Sequence, residues 1–268
     1  MALFHSHFFS DVLGMQSEAI VIVPQAASDR QIGVETVAER NVWPCLWLLH
    51  GMSDDHSAWL RRTSIERYAE AAGCAVVMPN CHRSFYTDMK MGGNYWTFLS
   101  EELPSLMRSF FPLSERREDN AVAGLSMGGY GAFKWLLRKP EQFIAGASLS
   151  GALDMSLRMK RVLEEPDRMM ARSVEFAFGR QIPEDSNDDL RTLITTCQKS
   201  AIHPAMLQIC GTEDFLYEDN QLFKRVAEEA GLPLTYREGP GAHEWGFWDD
   251  AIQDVLDWLP KQGFGSGD

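Results

Sequence analysis

The clearest chemical signal in this chain is a serine set among glycines, in residues 123–131 (AGLSMGGYG). Gly124, Ser126 and Gly128 match the pattern G-x-S-x-G, which presents a nucleophilic serine at a sharp strand-to-helix turn. Because glycine is 21 of the 268 residues, the pattern alone arises by chance in about one such chain in ten. An apolar, strand-like run (AVAGL) precedes the serine, and a helix-like segment (YGAFKWLLRKP) follows it. We therefore expect a nucleophile here instead of an inert turn serine.

A serine hydroxyl needs a base, and a histidine oriented by an acid is the common partner. His243 lies in EGPGAHEWGFW, a glycine-rich loop between a predicted strand and the last predicted helix. Asp214 follows the preceding strand, in LQICGTEDFLY. Glu213 and Asp219 are alternative acids, and Asp214 would then cap a helix. The order Ser126, Asp214, His243 is the order found in the α/β-hydrolase fold.

A second stretch, LWLLHGMSDDHSAW, follows a predicted buried strand. Hydrolases of this fold take one oxyanion-binding N–H from such a loop and another from the residue after the nucleophile. The expected donors are the backbone N–H groups of Met52 and Met127. The same stretch offers an alternative metal site, although its spacing matches no zinc motif such as H-E-x-x-H. The candidate ligands would be His50, Asp54, Asp55 and His56. We expect His50 to be structural and no metal to be bound.

The elements that must position these residues form an α/β pattern. Apolar runs predict strands at 19–23, 45–49, 74–78, 120–125, 145–149, 205–210 and 234–237. Segments of helical period predict helices at 65–72, 96–110, 128–137, 220–230 and 248–259. Several of the runs are almost continuously hydrophobic, which is typical of strands covered by helices on both faces of a mostly parallel sheet. The sequence predicts one such domain over residues 1–268.

One segment, residues 154–200, interrupts this alternation. It is polar, rich in Met and Arg, and helical in character (LRMKRVLEEPDRMMARSVEFAFG, then NDDLRTLITTCQ). No strand is predicted inside it. We interpret it as a small helical cap inserted after the strand that ends at SLSGALD.

The composition limits the classes of partner that this protein is expected to bind. A net charge of −13 without clustered Lys or Arg argues against nucleic acid, and no apolar run approaches the 18 to 20 or so residues of a membrane helix. Five cysteines without a C-x-x-C pair favour reduced, packed thiols, and no signal peptide is recognisable. The expectations are a cytoplasmic protein with a small-molecule partner. Aromatic residues near the cap and the C-terminus favour self-association into a homo-oligomer.

A long loop, CHRSFYTDMKMGGNYWTF, follows the strand at 74–78. Ligands of open α/β sheets bind at such strand ends, so Phe85, Tyr95 and Trp96 are candidates to line a substrate pocket. The alternative is that Trp96 and Phe98 begin a packed helix.

With these residues in place, the chain resembles the esterase D-like group of α/β-hydrolases, and most closely the bacterial tributyrin esterases. The resemblance covers nearly the whole chain. It is carried by LLHGMSDDHSAWLRRTSIERYAE, VVMPN, NYWTFLSEELP, AGLSMGGYGAFK, SLSGALD, GTEDFLY and HEWGFW. In that family the nucleophile, acid and base match Ser126, Asp214 and His243, which favours Asp214 over Glu213.

The resemblance implies hydrolysis of short-acyl carboxylic esters, of the tributyrin or acetyl type and including acetylated sugars, without a cofactor. S-formylglutathione hydrolases and feruloyl esterases are relatives, so a thioester or a phenolic ester is an alternative substrate. An acyltransferase of the same fold is a further alternative. A non-catalytic binding protein of the fold would ordinarily have lost the serine or the histidine, and this chain has both.

Overall fold

The computed structural model describes residues 1–25, 40–164, 168–180 and 186–266. Eight strands form one sheet. They are β1 (Ala2–Ser10), β2 (Met15–Val23), β3 (Cys45–Leu49), β4 (Ala75–Pro79), β5 (Asn120–Leu125), β6 (Ala145–Leu149), β7 (Ala205–Gly211) and β8 (Leu234–Gly239).

The strand order across the sheet is β1-β2-β4-β3-β5-β6-β7-β8. The first two strands form an antiparallel hairpin, and β2 also pairs antiparallel with β4. All the other pairs, from β4–β3 through β7–β8, are parallel. Every residue of β3, β4, β5 and β6 is buried, which explains why these strands are continuously apolar in sequence.

Ten α-helices lie in the described residues, and short 3₁₀ and π segments accompany them. The α-helices are α1 (Ala58–Arg62), α2 (Ile65–Ala72), α3 (Tyr95–Thr97), α4 (Leu103–Phe110), α5 (Met127–Arg138), α6 (Met155–Glu164), α7 (Arg168–Phe178), α8 (Leu190–Gln198), α9 (Tyr217–Glu229) and α10 (Trp245–Trp258). The π segment Phe98–Glu102 joins α3 to α4. Within this part of the chain, no helix has both the length and the apolarity needed to cross a membrane.

A hydrophobic core lies on each face of the sheet. Residues of α4, α5, α8 and α9, among them Trp135 and Phe223, pack on one face. Residues of α1, α2 and α10, among them Trp59 and Ile252, pack on the other. The predicted fold class, an α/β-hydrolase sheet covered by helices on both faces, is therefore confirmed.

The sequence predicts seven strands, and the structure adds β1 and extends β2 back to Met15. The nine residues of β1 (ALFHSHFFS) mix apolar and polar side chains because this strand lies at the edge of the sheet and most of its residues are at least partly exposed. An edge strand need not be continuously apolar, so it gives a weak signal.

The helices α6, α7 and α8 come from the segment 154–200, in the part of it that the structure describes. Residues 165–167 and 181–185 of this segment lie outside the described residues. In sequence, the segment lies between the adjacent parallel strands β6 and β7. It therefore leaves the sheet at the carboxyl end of β6 and returns to the amino end of β7.

Candidate active site

Ser126 occupies the turn between β5 and α5. Its backbone has φ 53° and ψ −116°, a conformation that costs a non-glycine residue energy and persists only where the surroundings enforce it. The Ser126 N–H donates to the carbonyl of Leu149 at 2.9 Å, and the Ser126 carbonyl accepts from the N–H of Ala152 at 3.1 Å. The neighbouring strand and the chain after it therefore hold the serine in this strained turn.

Two glycines around the serine are required by space. A Cβ atom at Gly124 would come within 2.9 Å of Leu49 Cβ, and one at Gly128 would lie 2.7 Å from the carbonyl oxygen of His50. Both contacts are shorter than folded proteins tolerate, since interiors are close-packed. Any larger residue would push the turn away from the end of β3.

The structure brings Ser126, His243 and Asp214 together. His243 Nε2 lies 3.0 Å from Ser126 Oγ, and His243 Nδ1 lies 2.9 Å from Asp214 Oδ2. Asp214 follows β7, and His243 lies between β8 and α10. Because β7 and β8 are adjacent and parallel, the acid and the base both lie at the carboxyl ends of the strands. This arrangement suits an imidazole that keeps its proton on Nδ1 and accepts the serine proton at Nε2.

The environment of Asp214 keeps its carboxylate ionised. Burial favours the neutral form, but the hydrogen bond and the charge of His243 act against it, as does the N–H of Leu216, which donates to Asp214 Oδ1 at 2.8 Å. Their combined effect holds the pKa of Asp214 below its usual value. A charged acid can stabilise the positive imidazolium that forms when His243 takes a proton.

The carboxylates of the two alternative acids, Glu213 and Asp219, contact groups other than the imidazole of His243. The Glu213 carboxylate accepts the N–H of Gly241 at 2.5 Å, which ties it to the loop before His243. Asp219 lies 3.6 Å from the guanidinium of Arg158 on α6. Of the three acids considered, Asp214 is the one whose carboxylate faces the imidazole.

A buried serine that the sequence analysis did not single out supports the acid. Ser150 follows β6, is fully buried and has φ 49°. Its hydroxyl accepts from Trp248 Nε1 at 3.1 Å, and the presence of this hydroxyl near Asp214 contributes to the lowered pKa of that carboxyl. The only sequence signal was its place beside a glycine at the end of a predicted strand.

His50 orders the loop after β3. Its Nδ1 lies 2.7 Å from the carbonyl of Gly51, and its Nε2 accepts the N–H of Cys81 at 3.0 Å. Burial lowers the pKa of His50 to about 4, so the ring is neutral, donating from Nδ1 and accepting at Nε2. Both ring nitrogens contact backbone groups, which fits the structural role expected for this histidine.

The contact between His50 and the carbonyl of Gly51 also affects one of the predicted oxyanion donors. Because a peptide unit is planar, fixing the carbonyl of Gly51 also fixes the opposite direction of the Met52 N–H. Met127 begins α5, and the first N–H groups of a helix have no partner inside it. The use of these two N–H groups by an oxyanion stays a prediction.

An exposed aromatic side chain covers one side of the imidazole. The ring centroid of Phe215 lies 4.5 Å from that of His243, yet Phe215 is 63% exposed. The guanidinium of Arg158 on α6 lies 5.1 Å from the ring centroid of Phe215. The buried Trp248 packs edge-on against the imidazole, with ring centroids 4.8 Å apart. Phe215 thus offers a bound substrate an apolar surface beside the base. Its position next to the predicted acid could have identified it from the sequence.

The three predicted pocket residues are all buried. Phe85 packs against Phe178 of α7 with ring centroids 5.5 Å apart. Tyr95 and Trp96 begin α3, and the guanidinium of Arg138 lies 3.8 Å from the ring centroid of Trp96. Trp96 therefore packs at the start of a helix, as the alternative interpretation expected, and a role of these side chains in substrate binding stays a prediction.

A buried lysine joins the helix of the nucleophile to the end of the 154–200 segment. Lys134 Nζ lies 2.5 Å from Asp188 Oδ1 and donates to the carbonyl of Tyr86 at 2.8 Å. One turn earlier on α5, the hydroxyl of Tyr130 donates to the carbonyl of Asp188 at 2.6 Å. Burial lowers the pKa of Lys134 to about 8, although the nearby Asp188 favours the charged form.

A nucleophile elbow after a central parallel strand, with the acid and the histidine on loops after later strands, occurs in the α/β-hydrolase fold. This is the fold of the protein, and its class is serine hydrolase. Comparison with known proteins gives the family: the sequence model described as "Putative esterase" matches residues 26–259. The chain belongs to this esterase family and is a carboxylic-ester hydrolase.

Three known proteins are similar over almost their whole length. The acetyl esterase of Caldicellulosiruptor saccharolyticus is 28% identical over 97% of this chain and 99% of its own. The fluorophosphonate-binding serine hydrolase F of Staphylococcus aureus, solved with substrate bound, is 32% identical, with a TM-score of 0.84 over 96% of this chain and 98% of its own. The S-formylglutathione hydrolase of the same organism is 31% identical, with a TM-score of 0.82 over the same shares.

Proposed function

We propose that the protein is a serine carboxylesterase that hydrolyses short-acyl esters, acetyl esters foremost, through an acyl-enzyme. The observation that carries this proposal is the hydrogen-bonded chain from Ser126 Oγ through His243 to Asp214. The end-to-end similarity to an acetyl esterase supports the acyl group. The five free, buried cysteines support a cytoplasmic location.

In the first half-reaction Ser126 Oγ attacks the ester carbonyl carbon while His243 Nε2 takes the hydroxyl proton. The carbonyl oxygen becomes an oxyanion, and in this proposal the N–H groups of Met52 and Met127 stabilise it. Collapse of the tetrahedral intermediate breaks the bond to the leaving alkoxide, which receives the proton from His243. Asp214 stabilises the imidazolium while it exists.

In the second half-reaction water takes the place of the alcohol. His243 removes a proton from the water, whose oxygen attacks the carbonyl of the acyl-enzyme. The new intermediate expels Ser126 Oγ, which regains its proton from His243, and a carboxylic acid leaves. The strained backbone of Ser126 keeps Oγ in one position through both halves, so little reorganisation is needed between them.

A thioester is the second candidate substrate, and a specific observation favours it. The S-formylglutathione hydrolase from Staphylococcus aureus covers 96% of this chain. A formyl group is still smaller than an acetyl group, and a thiolate leaves readily. The same residues would carry out the same two half-reactions with sulfur in place of the leaving oxygen.

A substrate panel tests the proposal. We would compare kcat/KM for p-nitrophenyl acetate, butyrate and octanoate with that for S-formylglutathione, and repeat the assays with glycerol as a competing acceptor. The Ser126→Ala variant is the control for uncatalysed and contaminating hydrolysis. Its turnover should fall by about 10⁴-fold or more while the fold is retained.

The expected result is highest efficiency on acetate, a steep decline toward octanoate, and release of free acid. Preference for S-formylglutathione would select the thioester function instead. Transfer of most acyl groups to glycerol would identify an acyltransferase. Hydrolysis that is unchanged in Ser126→Ala would reject the assigned nucleophile.

A further inference from the structure

Strand β1 forms one edge of the sheet and is unusually long for that position. All nine residues from Ala2 to Ser10 pair with β2, and within the described chain no strand pairs with its other side. An open edge offers a row of backbone donors and acceptors to any other strand. Something must therefore cover this edge or protect it.

The usual protective features are missing from β1. Edge strands are commonly short, or carry charged residues or proline that discourage pairing, but Ala2–Ser10 (ALFHSHFFS) contains no Lys, Arg, Asp, Glu or Pro. The opposite edge strand differs in this respect. β8 is only six residues long and includes Arg237 and Glu238, with Arg237 paired to Asp254 at 3.0 Å. The edge strand β8 thus carries features that discourage further strand pairing, and the edge strand β1 lacks them.

Aromatic side chains are exposed along the open edge. Phe4 is 43% exposed, Phe9 is 53% exposed, and Phe110 at the end of α4 is 52% exposed. Phe110 lies 6.4 Å from Phe8, and Phe111 lies 5.1 Å from Phe4, measured between ring centroids. Three of the five strongly exposed phenylalanines in the described residues therefore lie on the N-terminal strand or beside it. Near the C-terminus, where the sequence also suggested exposed aromatics, Trp248, Trp258 and Phe264 are buried.

The sequence of β1 indicates what covers it. Residues 4–8 read Phe-His-Ser-His-Phe, the same in both directions. When two copies of such a strand pair antiparallel about a two-fold axis at Ser6, Phe4 faces Phe8 of the second copy and His5 faces His7. The same register places Leu3 opposite Phe9. Aromatic and aliphatic side chains then meet directly opposite each other, the pairing that stabilises antiparallel sheets.

We propose that the protein forms a two-fold symmetric dimer through β1, with one continuous sheet running across both copies. The second copy is favoured over a strand of another protein because the edge is complementary to itself. The triad lies at the ends of β5, β7 and β8, toward the other side of the sheet. Both active sites therefore stay open, and the proposal is independent of the substrate.

Cysteine cross-linking combined with sedimentation velocity tests the register. Opposed residues of an antiparallel pair have Cα atoms about 4.5 to 5.5 Å apart, within the span of a disulfide. Ser6→Cys should therefore give a covalent dimer on mild oxidation. The matched control Phe9→Cys should not, since its two thiols would lie about 20 Å apart. The five native cysteines are buried, so they should not interfere.

The double variant Leu3→Cys/Phe9→Cys should restore cross-linking, because residue 3 of each copy meets residue 9 of the other. The unmodified protein should sediment as a dimer, and Phe9→Lys should shift it toward monomer while kcat/KM stays within about two-fold. A monomer at all concentrations would overturn the proposal. So would a dimer that cross-links equally well at residues 6 and 9, or one that Phe9→Lys leaves intact.

Discussion

The carboxylate of Asp214 lies 2.9 Å from Nδ1 of His243, while the adjacent carboxylate of Glu213 accepts the N–H of Gly241 instead. Two consecutive acids in the chain thus point to different partners. The difference follows from the backbone, which folds back after β7 so that the N–H of Leu216 donates to Asp214. This pair of acids allows a matched experiment.

Asp214→Asn should lower kcat/KM by about 10³- to 10⁴-fold, because the amide cannot stabilise the imidazolium and favours the wrong histidine tautomer. Glu213→Gln, its matched control, should lower kcat/KM less than about ten-fold, since Glu213 contacts Thr212 and Gly241 and not the imidazole. Both are measured on p-nitrophenyl acetate. Equal losses in the two variants would contradict the assignment of the acid.

Ser150 should act as a positioning residue through Asp214. Removing its hydroxyl in Ser150→Ala should lower kcat/KM by about 10- to 100-fold, the range for a hydroxyl that stabilises a charged group. Its loss also raises the pKa of Asp214, so kcat/KM should fall more steeply than in the natural protein as the pH approaches about 4.

A second variant, Ser150→Gly, distinguishes the effect of losing the hydroxyl from the effect of backbone strain at residue 150. Because the residue has positive φ, Ser150→Gly should be more stable than Ser150→Ala, yet both should show the same steeper loss of kcat/KM at low pH. If the glycine variant recovers full activity, strain and not the hydroxyl explains the effect.

Phe215 should contribute to the choice of alcohol group. Phe215→Ala should lower kcat/KM about two- to ten-fold for aryl acetates, the range for one aromatic contact, and much less for methyl acetate. Phe176→Ala is the control, as Phe176 is also exposed but lies on α7. Thermal unfolding should change little in either variant. A uniform loss across all alcohols would indicate a role in placing His243 instead.

The buried His50 makes stability depend on pH. Burial lowers its pKa from 6.5 to about 4 in the folded protein, so between these values the unfolded chain binds the extra proton. Stability is therefore complete above about pH 6.5 and falls with decreasing pH, by about 3 kcal/mol from this residue by pH 4. Urea unfolding at pH 7 and pH 4.5 measures the loss.

In His50→Gln the difference in unfolding free energy between the two pH values should shrink by about 2 kcal/mol, although the variant is less stable throughout. His203→Gln, at an exposed histidine, should keep the original difference. A His50 variant that remains as pH-sensitive as the natural protein would assign the effect to other groups.

The site residues that can be predicted from the sequence are those marked by a pattern in the residues directly around them. Ser126 is marked by a strand, a glycine-flanked turn and a helix, and His243 by a glycine-rich loop between a strand and a helix. Ser150 acts on Asp214, which is near it only in the folded chain, and Phe215 is marked only by its place beside the predicted acid, so composition and period reveal neither residue. The structure buries Phe85 against Phe178, and an aromatic residue in a loop after a strand is typical of both a pocket and a core, so the sequence does not decide its role.

The contacts of the 154–200 segment have a consequence for divergence within the family. Just before the segment, the N–H of Ala152 donates to the carbonyl of Ser126; ahead of its last helix, α8, Asp188 binds Lys134 and Tyr130 on the nucleophile's own helix. We expect that the exposed residues between these two attachments, unlike the side chains that α6 and α7 bury in the core, can be exchanged while Ser126 keeps its place. Substrate range can therefore evolve, or be engineered by segment exchange, separately from the chemistry of acyl transfer.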